Sequence, residues 1–176
     1  MTEKELSALY EKLYFNETDR REKIGARLSI PMALLLAVSS LLGYMVNMAP
    51  AADSGFSAVW FWIFFNISAL FWLLAAWYFR GAWANGLADK LMPTAVQIED
   101  YKTEILKSYA HLEDAEELTA IALGKFIKNY YMEASSTNAI LNDRRSLAIS
   151  DTSIAVALCM AFGIAAYAAL SINLHF

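Results

Sequence analysis

Residues 57–79 read SAVWFWIFFNISALFWLLAAWYF, about 23 residues without one Asp, Glu, Lys, Arg or His, and about 20 apolar residues cross a hydrocarbon core. Two further stretches match it. Residues 28–50 read LSIPMALLLAVSSLLGYMVNMAP, and residues 152–174 read TSIAVALCMAFGIAAYAALSINL. In lipid every backbone polar group must be satisfied within the segment, and a helix does that. The chain therefore reads as an all-α integral membrane protein with three transmembrane helices.

Outward from these runs, the charges fall into two blocks, 1–27 and 80–151, with Asp53 as the exception. The 176 residues are 58% hydrophobic and 18% charged, below the roughly 25% charge of soluble domains. The net charge of −4 is of mixed sign. It lacks the basic stripe of a nucleic-acid binder, so no nucleic acid is expected as a partner. One cysteine, Cys159, lies inside the third run, which leaves no intrachain disulfide and no Cys-rich metal site. The charged 1–27 segment and the length of the first run argue against a cleaved signal peptide.

Charge also sets the expected orientation. All 14 Lys and Arg residues lie in the two charged blocks, and the connection 51–56 has none. Positive residues accumulate on the cytoplasmic side. The expected protein is a multi-pass component of the cell inner (plasma) membrane. Its N-terminus and residues 80–151 are inside; the 51–56 turn and the C-terminus are outside. Trp60 and Trp62 at one mouth of the second span, and Trp77, Tyr78 and Trp83 at the other, match aromatic interfacial belts.

Residues 1–27 read as a cytosolic amphipathic helix, with Leu6, Leu9, Tyr10, Leu13 and Tyr14 on one face. Arg20, Arg21, Lys23 and Arg27 then lead into the first span. They read as headgroup contacts that stop translocation, or as part of an interfacial helix docked on the membrane or a neighbouring subunit. Gly81, Gly86 and Pro93 punctuate the exit from the second span. Residues 80–151 then read as a cytosolic helical hairpin. One arm spans 94–112. A second opens at Asp114, supported by Glu117 in the manner of a capping box. No Gly or Pro occurs from 125 to 162, so this arm is expected to run unbroken into the third span.

Several residues inside or beside the spans are candidates for interaction. Asn66 and Ser68 sit near the middle of the second span, and a polar group at that depth faces another helix or water. They read as interhelical hydrogen-bonding groups or as pore-lining ones. Ser39 and Gly43, and the row Ala157, Ala161, Ala165 and Ala169, are small residues at helical spacing, the kind that lets helices close up in lipid. Asn138, Asn142, Arg144 and Arg145 precede the third span. They read as a solvated juxtamembrane helix or as a polar seam, with Glu17, Asp19 and Glu22 as available partners.

No catalytic constellation is visible. His111 stands near Glu113, Asp114, Glu116 and Glu117, but these acids belong to a helix turn. There is no H-E-x-x-H, no paired His and no Gly-rich phosphate loop. The spans hold no Asp, Glu, Lys, Arg or His to mark a proton relay. The expectation is a protein that is not an enzyme and needs no cofactor and no metal.

The charged helix ending in Arg20-Arg21-Glu22-Lys23, two spans joined by a short outer turn, and cytosolic helices bearing Tyr130-Tyr131 and Asn138, Asn142 and Arg145 together resemble the SLATT-type membrane effectors of bacterial antiviral systems. That resemblance covers most of residues 1–149, and a third span is a departure from it. It implies an oligomeric pore that perturbs the membrane when a cytosolic sensor is triggered. The partners expected are the lipid bilayer, further copies of the chain and a cytosolic protein. A membrane-tethered scaffold that recruits a cytosolic protein is the alternative. So is an insertase- or transporter-like subunit, although in three-span insertases the hairpin follows the first span and here it follows the second.

Overall fold

The structure is a computed structural model that describes residues 1–51 and 55–175. Among the described residues there are five α-helices and no strand: α1 (Glu3–Arg27), α2 (Ser29–Asn47), α3 (Phe56–Asn85), α4 (Ala95–Tyr109) and α5 (Ala115–His175). Three helical segments are long and apolar enough to cross a membrane: Glu3–Asn47, Phe56–Asn85 and Ala115–Ile172. Half of the expected 51–56 turn, residues 52–54, and Phe176 lie outside the described residues.

The helix ends have local causes. Leu28 alone separates α1 from α2, and its dihedrals are still helical (φ −66, ψ −22). Pro31 has no N–H to offer the Arg27 carbonyl. The chain tightens there instead, with Leu28 N donating to Gly25 O at 3.2 Å. α2 stops at Asn47, short of residue 50, because Pro50 disfavours helical geometry at the residue before it. α3 overruns the expected boundary at 79 and continues to Asn85. Gly81 lies inside the helix, where Ala82 and Ala84 are strong helix formers. α4 is opened by a full capping box. Thr94 Oγ1 accepts from Gln97 N at 3.3 Å, and Gln97 Oε1 accepts from Thr94 N at 2.9 Å. It ends at Tyr109, a turn earlier than 112. The first bond of α5 runs from Leu118 N to the Asp114 carbonyl at 3.0 Å, with Glu116 and Glu117 near its positive end. With no Gly or Pro between 125 and 162 to interrupt it, α5 is one helix of 61 residues.

The chain divides into two compact units. Met1–Glu22 and Ala88–Asn142 form the first, and Lys23–Leu87 and Asp143–Phe176 the second. The second unit packs three apolar helices through narrow seams. Leu35, Val38 and Leu42 of α2 meet Ala75 of α3 and Ala155, Val156 and Cys159 of α5. Met45, Phe61, Ala166, Ala169 and Leu170 form a further cluster. The first unit has a different interior. Tyr14 and Ala134 are its buried hydrophobic residues, beside Thr119, Ser135, Asn138 and Asn142. Its specificity therefore rests on hydrogen bonds.

Candidate functional site

Residues 88–93 link α3 to α4 without regular structure, so helix bonds cannot satisfy their backbone groups. Side chains of α1 and α5 do so. Asn138 Oδ1 accepts from Lys90 N at 2.9 Å, and Asn138 Nδ2 donates to Lys90 O at 3.1 Å. One amide thus serves both polar groups of one residue, as a neighbouring strand would. Met92 N donates to the Tyr14 hydroxyl at 3.2 Å, and the Tyr130 hydroxyl donates to Leu91 O. Pro93 has no N–H to place. The side chains are held as well. Arg21 Nε lies 2.6 Å from Asp89 Oδ2, in an ion pair whose carboxylate is buried. Lys90 Nζ lies 2.6 Å from Glu133 and 5.1 Å from the centre of the Tyr130 ring.

Around this connector α1 is fastened to α5. Asn142 Nδ2 donates to Glu17 O at 2.9 Å and to Glu17 Oε2 at 3.0 Å. Tyr131 meets Tyr14 at a ring separation of 5.5 Å and Phe15 at 6.4 Å. Burial, then the nearby charge of Glu11, pushes the Tyr131 phenol above its ordinary value. At the start of α1, Lys128 Nζ lies 2.6 Å from Glu3 Oε2. That bond and the ammonium charge hold the Glu3 carboxyl below its usual range. Asn142 Oδ1 and Asp89 Oδ1 are buried with no hydrogen-bond partner.

Of the four basic residues expected at headgroups, Arg20 lies 3.5 Å from Glu17 and Arg21 pairs with Asp89. Lys23 and Arg27 are exposed. Among the polar-seam residues, Asn138 and Asn142 are buried in the first unit and Arg144 is exposed. Arg145 belongs to the second unit and is buried there. Its guanidinium lies against Gly86. A Cβ on Gly86 would stand 2.8 Å from Arg145 Nη2.

In the second unit, Ser68 and Cys159 join α3 to α5 reciprocally. Ser68 Oγ donates to Cys159 O at 2.8 Å, and Cys159 Sγ donates to Ser68 O at 3.1 Å. Ser39 Oγ accepts from Trp72 Nε1 at 2.9 Å, which links α2 to α3. Gly43 faces open space. The alanine row divides. Ala157 and Ala161 are exposed, Ala165 is half-buried, and Ala169 is buried. The close approach on α5 falls at Gly163, where a Cβ would lie 3.4 Å from Ser68 Oγ. Asn66 is exposed on α3, and its Nδ2 donates to Trp62 O of the same helix at 2.7 Å.

Sequence reasoning missed Asp89, Lys90 and Glu133, and read Gly86 only as punctuation after the second span. The signal within reach was the pair of amides one turn apart on α5. Among the described residues no three His, Cys, Asp or Glu side chains converge on a metal-sized site. No family model, no curated protein and no solved structure matches this chain.

Proposed function

We propose that the protein is a membrane-embedded oligomeric effector or channel-like component, triggered through its polar unit. The connector 88–93 carries this reading. It is fastened by Arg21 and Tyr14 of α1 and by Tyr130, Glu133 and Asn138 of α5. The sequences of both helices lead directly into apolar segments. A ligand or partner that exchanges those bonds acts on two helices that also supply spans. An open cleft of about 590 Å³ lined by Glu3, Lys4, Gly124, Lys125 and Lys128 gives an anionic group a place to act on the Glu3–Lys128 bond. The cellular setting that goes with the resemblance to SLATT-type proteins is bacterial antiviral defence at the inner membrane.

The experiment is induced expression of the full chain in bacteria, read by a potential-sensitive dye and by growth. The expected result is depolarisation and growth arrest, both altered by substitutions at Asn138 or Arg21. A chain that inserts and leaves potential and growth unchanged overturns the reading. One observation favours the scaffold alternative. The first unit leaves Leu9, Leu13, Phe15 and Ile121 exposed, an apolar surface for a cytosolic protein.

A further inference from the structure

The geometry points to a self-pairing seam on α3 for a second copy of this chain, made by Val59, Ile63, Asn66, Leu70, Leu73 and Trp77, with Asn66 as its polar lock. The inference rests on the membrane reading above and names the partner within it.

The six residues are spaced four, three, four, three and four apart. At about 100° per residue they stay within an arc of about 80°. This is the repeat by which two helices mesh side chains along their whole length. The five apolar members are between 42% and 66% exposed, and Asn66 is exposed too. The chain uses the opposite side of α3, Phe61, Ser68, Ala75 and Ala82, for its own packing. The seam is therefore a second stripe that the protomer leaves open. From Val59 to Trp77 it runs about 27 Å, close to the depth of a hydrocarbon core.

Asn66 decides what covers it. Its one hydrogen bond goes to its own helix. Asn66 lines an open cleft of about 440 Å³ together with Val59, Trp62 and Ile63. Lipid tails offer such an amide neither donor nor acceptor. An amide carries both and is its own complement. Copies of one chain insert in the same orientation, so seams that mesh in register bring Asn66 to Asn66 at equal depth. A slip of one turn sets each amide against Ile63 or Leu70. A different protein would need its own amide at that height, whereas a second copy has it by symmetry. The contact is parallel and two-fold, and Asn66 locks its register rather than lining a conduit.

The test uses the full chain in native membrane vesicles. Ile63→Cys and Leu70→Cys place thiols on the seam, and Leu36→Cys places one on the exposed face of α2. The unaltered chain, whose single cysteine is buried, is the blank. All three positions are exposed, so the fold is not at stake. Under mild oxidation Ile63→Cys and Leu70→Cys are expected to give disulfide-linked dimers, while Leu36→Cys and the blank give none. Asn66→Leu is expected to weaken association about 3- to 30-fold, the range of one interhelical hydrogen bond in lipid, and Asn66→Gln to restore most of it. Cross-linking from Leu36→Cys alone, or no cross-linking in a chain that resists alkaline extraction, overturns the seam and leaves the effector reading standing. Seam cross-links without any change in membrane potential overturn the effector reading and leave the seam. Release of the chain by alkaline extraction overturns both.

Discussion

Asn138→Ala is the sharpest test of the connector. Asn138 is 5% exposed, and its two bonds, at 2.9 and 3.1 Å, both go to Lys90. Truncation strands a backbone N–H and a carbonyl together, at about 1–3 kcal/mol for each group left buried. The upper sum of about 6 kcal/mol is not reached, because Lys90 is only half-buried and the segment can turn toward water. An effect of about 2–3 kcal/mol follows, which multiplies the open population of the connector about 30- to 150-fold. Trypsin reads that population directly, because it cuts after Lys90 once the segment leaves Glu133 and the Tyr130 ring. When reclosing outpaces cleavage, the rate follows the open fraction. The assay is limited proteolysis of the full chain in detergent, with fragments 1–90 and 91–176 identified by mass. Asn138→Asp keeps an acceptor for Lys90 N but sets an oxygen against Lys90 O, so it should behave no better than alanine. The reasoning is refuted if Asn138→Ala is cut after Lys90 within about twofold of the unaltered chain, since even the smallest single loss predicts more.

Three further predictions follow from the same geometry. Gly86 has φ −73, so its backbone accepts alanine, yet a Cβ meets Arg145 at 2.8 Å. The atoms it meets are the guanidinium end of a flexible side chain, so Gly86→Ala should cost only about 0.5–1.5 kcal/mol in detergent unfolding as Arg145 shifts its rotamer, and combining it with Arg145→Ala should cost less than the sum of the two. Gly81 faces open space inside α3, so Gly81→Ala should instead stabilise by about 0.5–1 kcal/mol in the same assay. The carboxyl of Glu3 is lowered by its bond to Lys128. Its contribution is complete above the ordinary carboxylate range and is lost as pH falls through the lowered value. Protection against hydrogen exchange in the first turns of α1, taken relative to the intrinsic rate at each pH, should therefore fall in acid, and Glu3→Gln should remove that dependence.

What was legible in the sequence was local. A span announces itself because hydropathy is a property of consecutive residues. The continuity of α5 was legible because nothing between 125 and 162 interrupts a helix, and the start of α4 because Pro93 punctuates the chain just before it. Span limits and helix limits answer different questions, which is why α3 passes 79. Hydropathy ends at Arg80, while backbone hydrogen bonding continues through alanines to Asn85. The connector was opaque for the opposite reason. Asn138 reaches Lys90 across 48 positions, and Asn142 reaches Glu17 across 125. Spacing along α5 could mark the two amides as a pair, but it holds no information about which carbonyl either would meet.

The two stripes on the apolar helices differ once their spacing is turned into an angle. Residues four apart on a helix of 3.6 per turn advance by about 40°. The row Ala157, Ala161, Ala165, Ala169 therefore rotates by about 120° from end to end. No straight helix facing it can cover all four, and burial runs along it from exposed at Ala157 to buried at Ala169. Alternating steps of four and three cancel that drift. On α5 the buried residues include Thr152, Val156, Cys159, Gly163, Ala166 and Leu170, which follow the alternating rule, with Ala155 and Ala169 buried beside them. The stripe from Val59 to Trp77 follows it as closely, yet nothing in the protomer covers it. A pattern that obeys the geometry of burial while remaining exposed, with a self-complementary amide at its centre, is what a surface shaped for its own copy would look like.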